Sequence, residues 1–343
     1  MDLLRGICLV LMVFINFFDE IAEVSILTSK KGFYIDFFIT SMVPNTFIAL
    51  MGFFLIISGS FCVTKLMAKG AQLLVLGFVI NLLRYPLPQF VGNKLGLTEY
   101  GGLAKNAVYH LLMIDIYSFA GYALLALMPL TLLPLASKLY FFLSALVLTF
   151  AGYGEKLLSL MPDFFADIFA YIVVGTPQNV YFPFFPWFSY LLFGIALALL
   201  YRERGREEFF RFLLVGGSVV FFTGLYVFVL NQPKDFSMLN DFYKHDYSVG
   251  LLLFGITMLL TALGEKFLPL LPKFFKNWLS LTSRHIITFY FSSWMFTGWF
   301  VTLHGSINDF DISDCLIGAG VIYLLSAGVA HIAAKLKREP GLV

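Results

Sequence analysis

Residues 1–23 read MDLLRGICLVLMVFINFFDEIAE. An apolar run long enough to cross a bilayer carries Asp2, Arg5, Asn16, Asp19, Glu20 and Glu23. At about 100° per residue, Arg5, Asn16, Asp19 and Glu23 share one face of a helix. Hydrocarbon does not tolerate such a stripe. Ionisable groups at membrane depth face a bundle interior or a wet cavity, and they mark a functional site by default. The stretch therefore predicts a helix lining a polar pocket inside a membrane protein.

The rest of the chain repeats the apolar theme. Of its 343 residues 59% are hydrophobic and 13% charged, against about 25% charged in soluble domains. Apolar runs of about 20 residues separated by short polar loops predict an all-α, polytopic transmembrane helical bundle. Ten spans, with an eleventh allowed, fall near 3–24, 44–64, 70–88, 108–129, 137–152, 184–201, 210–230, 247–264, 279–303 and 314–334. The whole of 1–343 reads as one domain, and the longest extramembrane stretches are outer, at 25–43, 89–107, 153–183 and 231–246. The mixed apolar and acidic segment 155–171 is expected on the outer surface or re-entering the bundle. No cleavable signal peptide is evident, because the first run is long and its acidic end offers no small-residue cleavage site.

Lys and Arg placement orients the chain. With the N-terminus in the cytoplasm, the inner segments hold Arg5, Lys65, Lys69, Lys138, Arg202, Arg204, Arg206, Arg211, Lys266, Lys273, Lys276, Lys335, Lys337 and Arg338. The outer loops hold Lys30, Lys31, Lys94, Lys105, Lys156, Lys234 and Lys244, half as many. The bias puts both termini in the cytoplasm of a cell-membrane protein. A net charge of +2 gives no reason to expect nucleic acid. Cys8, Cys62 and Cys315 lie in or beside apolar runs, with no CxxC or Cys/His cluster, so neither a zinc site nor a disulfide framework is expected.

The intramembrane polar residues sort into two groups. The outer one collects Asn16, Asp19, Glu20, Glu23, Arg84 and His110, with Asp115 about 7 Å deeper by the helical rise. A carboxylate or imidazole beside a bound substrate can take a proton, so this group reads as acid–base machinery. Equally, Arg84 could pair with Asp19 or Glu20 to hold helix ends together. Asp115, Ser118 and Tyr122 share a face that is either an interhelical seam or a cavity wall. The inner group collects Asp2, Arg5, Arg284, His285 and His331. Its arginines suit a phosphorylated ligand or snorkel at the interface. His245 and His304 fall in outer loops and read as bland. In 181–200, YFPFFPWFSYLLFGIALALL, Pro183 and Pro186 open a helix where missing N–H groups cost little. Trp187 and Tyr190 suit an interfacial aromatic belt.

Three of these pieces resemble the heparan-alpha-glucosaminide N-acetyltransferase catalytic-domain family of integral-membrane acyltransferases. DLLRGICLVLMVFIN (2–16) resembles its opening, YFPFFPWFSYLLFGIAL its Pro-Trp helix, and LTSRHIITFYFSSW (281–294) its late-helix pattern. The resemblance implies a ten- or eleven-helix bundle. It also implies acetyl-CoA or another acyl-CoA entering from the cytoplasm, and an acyl group delivered to a sugar or lipid-linked hydroxyl or amine on the other face. Arg5 stands at the family's Arg and Trp187 at its Pro-Trp position. With Arg284 and His285 they form the expected donor-binding set. Departures stand beside the matches. Asn16 occupies the place of a His found in many members, the following loop has no His, and Ser283 and Ser293 replace a Gly and a His.

The candidates left for the base are His110 and the carboxylates Asp19, Glu20 and Asp115, with Asn16 orienting the acceptor or polarising the thioester carbonyl. No metal is expected, and a homodimer is allowed. Two rival readings use the same polar groups. One is a transporter or flippase for a lipid-linked or small solute; the other is a catalytically degenerate relative.

Overall fold

The fold is described from a computed structural model, for residues 1–27, 29–96, 108–151, 153, 162, 169–170, 172, 180–231, 244–304 and 310–336. Among these residues the architecture is helical. In chain order the helices are α1 (Asp2–Ile21), α2 (Lys30–Ile57), α3 (Val63–Arg84), α4 (Pro86–Lys94), α5 (Ile116–Ala126), α6 (Ser137–Ala151), α7 (Phe184–Arg204), α8 (Arg206–Asn231), α9 (Tyr247–Phe267), α10 (Lys273–Arg284), α11 (Ile286–His304) and α12 (Ile312–Leu336). Among the described residues, six stretches are long and apolar enough to cross a membrane: Val63–Lys94, Phe184–Arg204, Arg206–Asn231, Tyr247–Leu270, Ile286–His304 and Ile312–Leu336. Shorter apolar helices lie at Met42–Ile57, Ile116–Leu132 and Ser137–Ala151. This is the build of a helical membrane protein.

Several expected boundaries move. The outer loop expected at 25–43 holds a one-turn helix at Val24–Leu27 and is helical again from Lys30, and α2 runs through Pro44. The span expected at 108–129 is interrupted: residues 113–115 are extended, Ile114 bridges to Val180, and α5 starts only at Ile116. The span expected at 279–303 is two helices, separated at His285 (φ −109°, ψ 33°). Most of segment 155–171 lies outside the described residues.

Two compact units emerge. The first comprises Met1–Pro44, Val79–Leu111 and Gly264–Val343. Here α1 packs against α10, α11 and α12. Its apolar face buries Leu9, Met12, Phe17 and Phe18, and Phe17 meets Phe300 at 5.5 Å between ring centroids. Close approach depends on small residues: a Cβ on Gly6 would stand 2.5 Å from the Leu279 carbonyl oxygen of α10. The end of α1 is pinned, with Glu23 N–H donating to the Phe310 carbonyl (3.0 Å) and Phe310 N–H to that of Ile21 (3.3 Å).

The second unit comprises Asn45–Phe78 and Leu112–Leu263. It is built around α7, whose residues from Pro186 to Leu200 are all buried. Gly194 lies against the Ala49 carbonyl and Gly52 against that of Leu191, so α2 and α7 touch backbone to backbone. The Ser144 hydroxyl donates to the Ser189 carbonyl (2.8 Å). At the far end, Glu203 accepts from both the N–H (3.1 Å) and the hydroxyl (2.6 Å) of Ser137, capping α6.

Candidate active site

Part of the outer polar group, Glu20, Arg84 and His110, meets where α3 breaks. Pro86 has no N–H to continue the helix, and its ring disfavours helical backbone at the residue before it. Tyr85 accordingly leaves the helix (φ −123°, ψ −66°) and α4 restarts at Pro86. The break projects Arg84 and Tyr85 sideways. Gly298 of α11 lets this corner close in, since a Cβ there would stand 2.0 Å from the Arg84 carbonyl oxygen. One turn earlier on α11, the Trp294 ring meets the Arg84 guanidinium at 4.0 Å. The same guanidinium lies 4.5 Å from the Tyr85 ring centroid. Arg84 is only 1% exposed. A desolvated cation over two aromatic faces gains about 1–2 kcal/mol from each, which offsets part of its burial.

His110 completes the column. Its imidazole stacks on Tyr85 with centroids 4.4 Å apart and planes 29° apart, and Tyr109 meets it edge-on at 5.3 Å. The buried Nδ1 has no hydrogen-bond partner among the described residues. The Tyr85 hydroxyl donates to a Glu20 carboxylate oxygen, so the polar end of α1 and His110 meet through one phenol. Asn16 lies one turn before Glu20, a spacing of about 6 Å on a helix face. It is half-buried, as is Asp19. The structure thus brings Glu20, Arg84 and His110 together around Tyr85, a residue that the sequence reading did not single out. The Tyr-Pro junction after an apolar run was the available signal.

Asp115 is placed differently. It caps α5, with Oδ1 accepting from the N–H groups of Tyr117 (3.0 Å) and Ser118 (3.4 Å), and it is 3% exposed. It does not share a helix face with Ser118 and Tyr122, because it precedes the helix.

Of the inner group, Arg5 and Asp2 come together at the end of α10. Arg5 Nε donates to the Ser283 hydroxyl (2.8 Å), and one Nη reaches the Ser283 carbonyl (3.2 Å) and Asp2 (3.1 Å). Gly6 makes this reach possible by letting α1 sit against α10. Arg284 is the next residue, exposed, and His285 sits at the helix break. Ser293, in place of the family's His, donates to the Tyr290 carbonyl of its own helix (2.9 Å).

Trp187 and Tyr190, expected in an interfacial belt, are both fully buried in the second unit. Trp187 packs against Phe182 (4.9 Å) and edge-on to His245 (5.4 Å). His245, read from sequence as a bland loop residue, is 3% exposed, and its Nε2 hydrogen-bonds the Tyr190 hydroxyl at 2.7 Å. Asp246 beside it caps α9 through Ser248 N–H (2.9 Å). A His-Asp pair just before an apolar helix was its only sequence signal. Among the described residues, no group of three or more His, Cys, Asp or Glu side chains is placed to hold a metal ion.

No curated protein and no solved structure matches the chain. Residues 1–233 match the profile described as heparan-alpha-glucosaminide N-acetyltransferase, catalytic. That match takes in Arg5, Asn16, the Arg84–Tyr85 corner, His110 and Trp187, and ends before α9. It spans more than half the chain and covers the opening helix and the Pro-Trp helix. The chain therefore belongs to the heparan-alpha-glucosaminide N-acetyltransferase catalytic family.

Proposed function

We propose that this chain is a membrane-bound acyltransferase. It takes an acyl group, acetyl in the first instance, from acyl-CoA on the cytoplasmic side. It passes the group to a hydroxyl or amine of a sugar or lipid-linked acceptor on the opposite side. The observation that carries this reading is the family match over residues 1–233. The corresponding topology has ten crossings in the cell membrane with both termini cytoplasmic, in line with the Lys and Arg distribution.

His110 is the base in this reading. Its ring plane is held by stacking, while no described residue takes a hydrogen bond at Nδ1. The imidazole removes the acceptor's proton as the acceptor oxygen or nitrogen bonds to the acyl carbonyl carbon. The C–S bond then breaks with its electron pair on sulfur, and the imidazolium returns the proton to the CoA thiolate. Asn16, half-buried beside the carboxylates of α1, orients the acceptor or polarises the carbonyl. Asp19 keeps the acceptor side anionic.

On the inner side, Arg284 and the exposed Lys273 of α10 supply cations for the CoA phosphates. Arg5 fixes the end of α10 through Ser283, and His285 shapes the break beside it. Trp187, fully buried, holds the entry of α7 rather than the donor itself.

Purified protein in detergent tests the reading through CoA thiol release from acetyl-CoA, with glucosamine and glucose as acceptor probes. The His110→Ala variant should lose about 10²- to 10⁴-fold in kcat and keep its thermal stabilisation by acetyl-CoA. That stabilisation is about 2.7 kcal/mol at a hundredfold excess over Kd. No stabilisation at millimolar acetyl-CoA and no thiol release would overturn the acyltransferase reading. Wild-type turnover in a variant lacking both His110 and Asp19 would overturn the base assignment alone.

A further inference from the structure

A lone imidazole is a poorly defined base. In Ser-His-Asp sites a carboxylate bonded to the second ring nitrogen fixes the plane and stabilises the imidazolium as it forms. Among the described residues, His110 has no such partner at its buried Nδ1. It has a ring face instead. Tyr85 is stacked on it at 4.4 Å, and the Tyr85 hydroxyl is tied to Glu20.

We propose that Glu20, Tyr85 and His110 form a stacked triad, in which Tyr85 is a positioning residue that holds the imidazole plane and stabilises the imidazolium through its ring face. The inference rests on His110 being the base in the acyltransferase reading above. A hydrogen bond to a carboxylate enriches the phenol in electron density. An electron-rich face attracts a cation stacked on it, so charge appearing on His110 during proton removal meets a prepared surface. Arg84 from the end of α3, which opposes the cation, and Tyr109 on the segment of His110 itself also face this column. Arg84 also grips Tyr85 and Trp294 at once and prevents the phenol from turning away.

Three variants separate the contributions. Tyr85→Leu keeps apolar bulk and removes the face. Tyr85→Phe keeps the face and removes the tie to Glu20. Glu20→Gln keeps an acceptor for the phenol and removes the charge. Selective ¹³C-histidine labelling, with His110→Gln to assign the signal among five histidines, reads the His110 titration directly. The acid limb of the kcat/KM–pH profile reads the same group during turnover.

Tyr85→Leu should move both midpoints down by about half a pH unit, from the ordinary strength of such a contact. It should also lower kcat about tenfold at unchanged acetyl-CoA KM. Glu20→Gln should move the midpoints the same way by less, and Tyr85→Phe should lower kcat with the smallest titration shift. Equal midpoints in all three variants would overturn the triad, since a purely structural loss lowers activity without moving a titration. A shifted titration in a protein that never releases CoA keeps the stacked triad and discards the acyltransferase reading. Turnover with unmoved midpoints does the reverse.

Discussion

Asp115 offers a sharp separation between holding a helix and handling a proton. Its Oδ1 takes the N–H of Tyr117 at 3.0 Å and that of Ser118 at 3.4 Å, one good bond and one long one. N-cap loss typically costs 0.5–2 kcal/mol, and Asn caps about as well as Asp. With one strong bond and near-complete burial, Asp115→Ala is worked out at about 1.5 kcal/mol. A shift of that size lowers the melting temperature of a chain this long by a few degrees. Asp115→Asn should leave the melting temperature within about 1 °C of wild type, because the cap geometry survives. It should also leave kcat within about twofold, because Asn keeps the acceptor oxygen that caps α5. The assay is a pair of thermal melts in detergent beside CoA release by the same preparations. An Asp115→Asn protein with an unchanged melt and a kcat lowered about a hundredfold, the usual cost of losing a base, would refute the assignment and restore Asp115 to the catalytic set.

Other expectations are equally direct. The Lys65 backbone N–H and the Thr64 hydroxyl hold the Cys62 thiol below its usual range, while Cys8 and Cys315 are buried. Labelling of intact vesicles by a membrane-impermeant maleimide should fall on Cys62 alone, from the cytoplasmic side, and rise with pH through a midpoint below the about 8.5 of free cysteine; labelling from outside would invert the topology. Gly194→Ala would place a Cβ 1.8 Å from the Ala49 carbonyl oxygen and should destabilise by about 1–3 kcal/mol or more. Gly320→Ala has nothing within 4 Å and should be neutral or stabilising in the same melt. Removing His245 as Ala leaves the buried Tyr190 hydroxyl without its partner and should cost about 1–3 kcal/mol; His245→Gln should recover much of it, and equal stabilities would show that the bond is inert.

The helices were legible because hydropathy at this scale leaves few alternatives: α7, α8, α9 and α12 lie close to their apolar runs. The polar face of α1 was legible too, since charges in an apolar run stand out. What escaped were interruptions. The break at Tyr85–Pro86 carried a proline signal, but the expected span 70–88 ran through it and the stop was not placed there. The break at His285 has neither Gly nor Pro, and its cause is tertiary: Arg5 takes the Ser283 hydroxyl and carbonyl at the end of α10. Asp115 was misplaced because an apolar flank conceals a cap, although Asp followed by an apolar helix is a start signal. His245 was dismissed because a loop position says nothing about burial. Of the polar corner, sequence singled out Glu20, Arg84 and His110 by their charge or imidazole in apolar surroundings. It did not single out Tyr85, which has no charge to betray it.

The pinning of α1 has a consequence for how the protein is made. Arg5 finds Ser283 across 278 positions of sequence, and the end of α1 bonds to Phe310 just before the last helix. At about 5–20 residues per second, the first helix waits roughly 15 to 60 s for those partners to leave the ribosome. Throughout that interval an arginine and several carboxylates stand in an apolar run with their final neighbours unmade. The nascent helix must be sheltered at the translocation machinery or held at the bilayer surface until synthesis is nearly over. A chain truncated before α10 should therefore be cleared by quality control even though every helix it contains is intact.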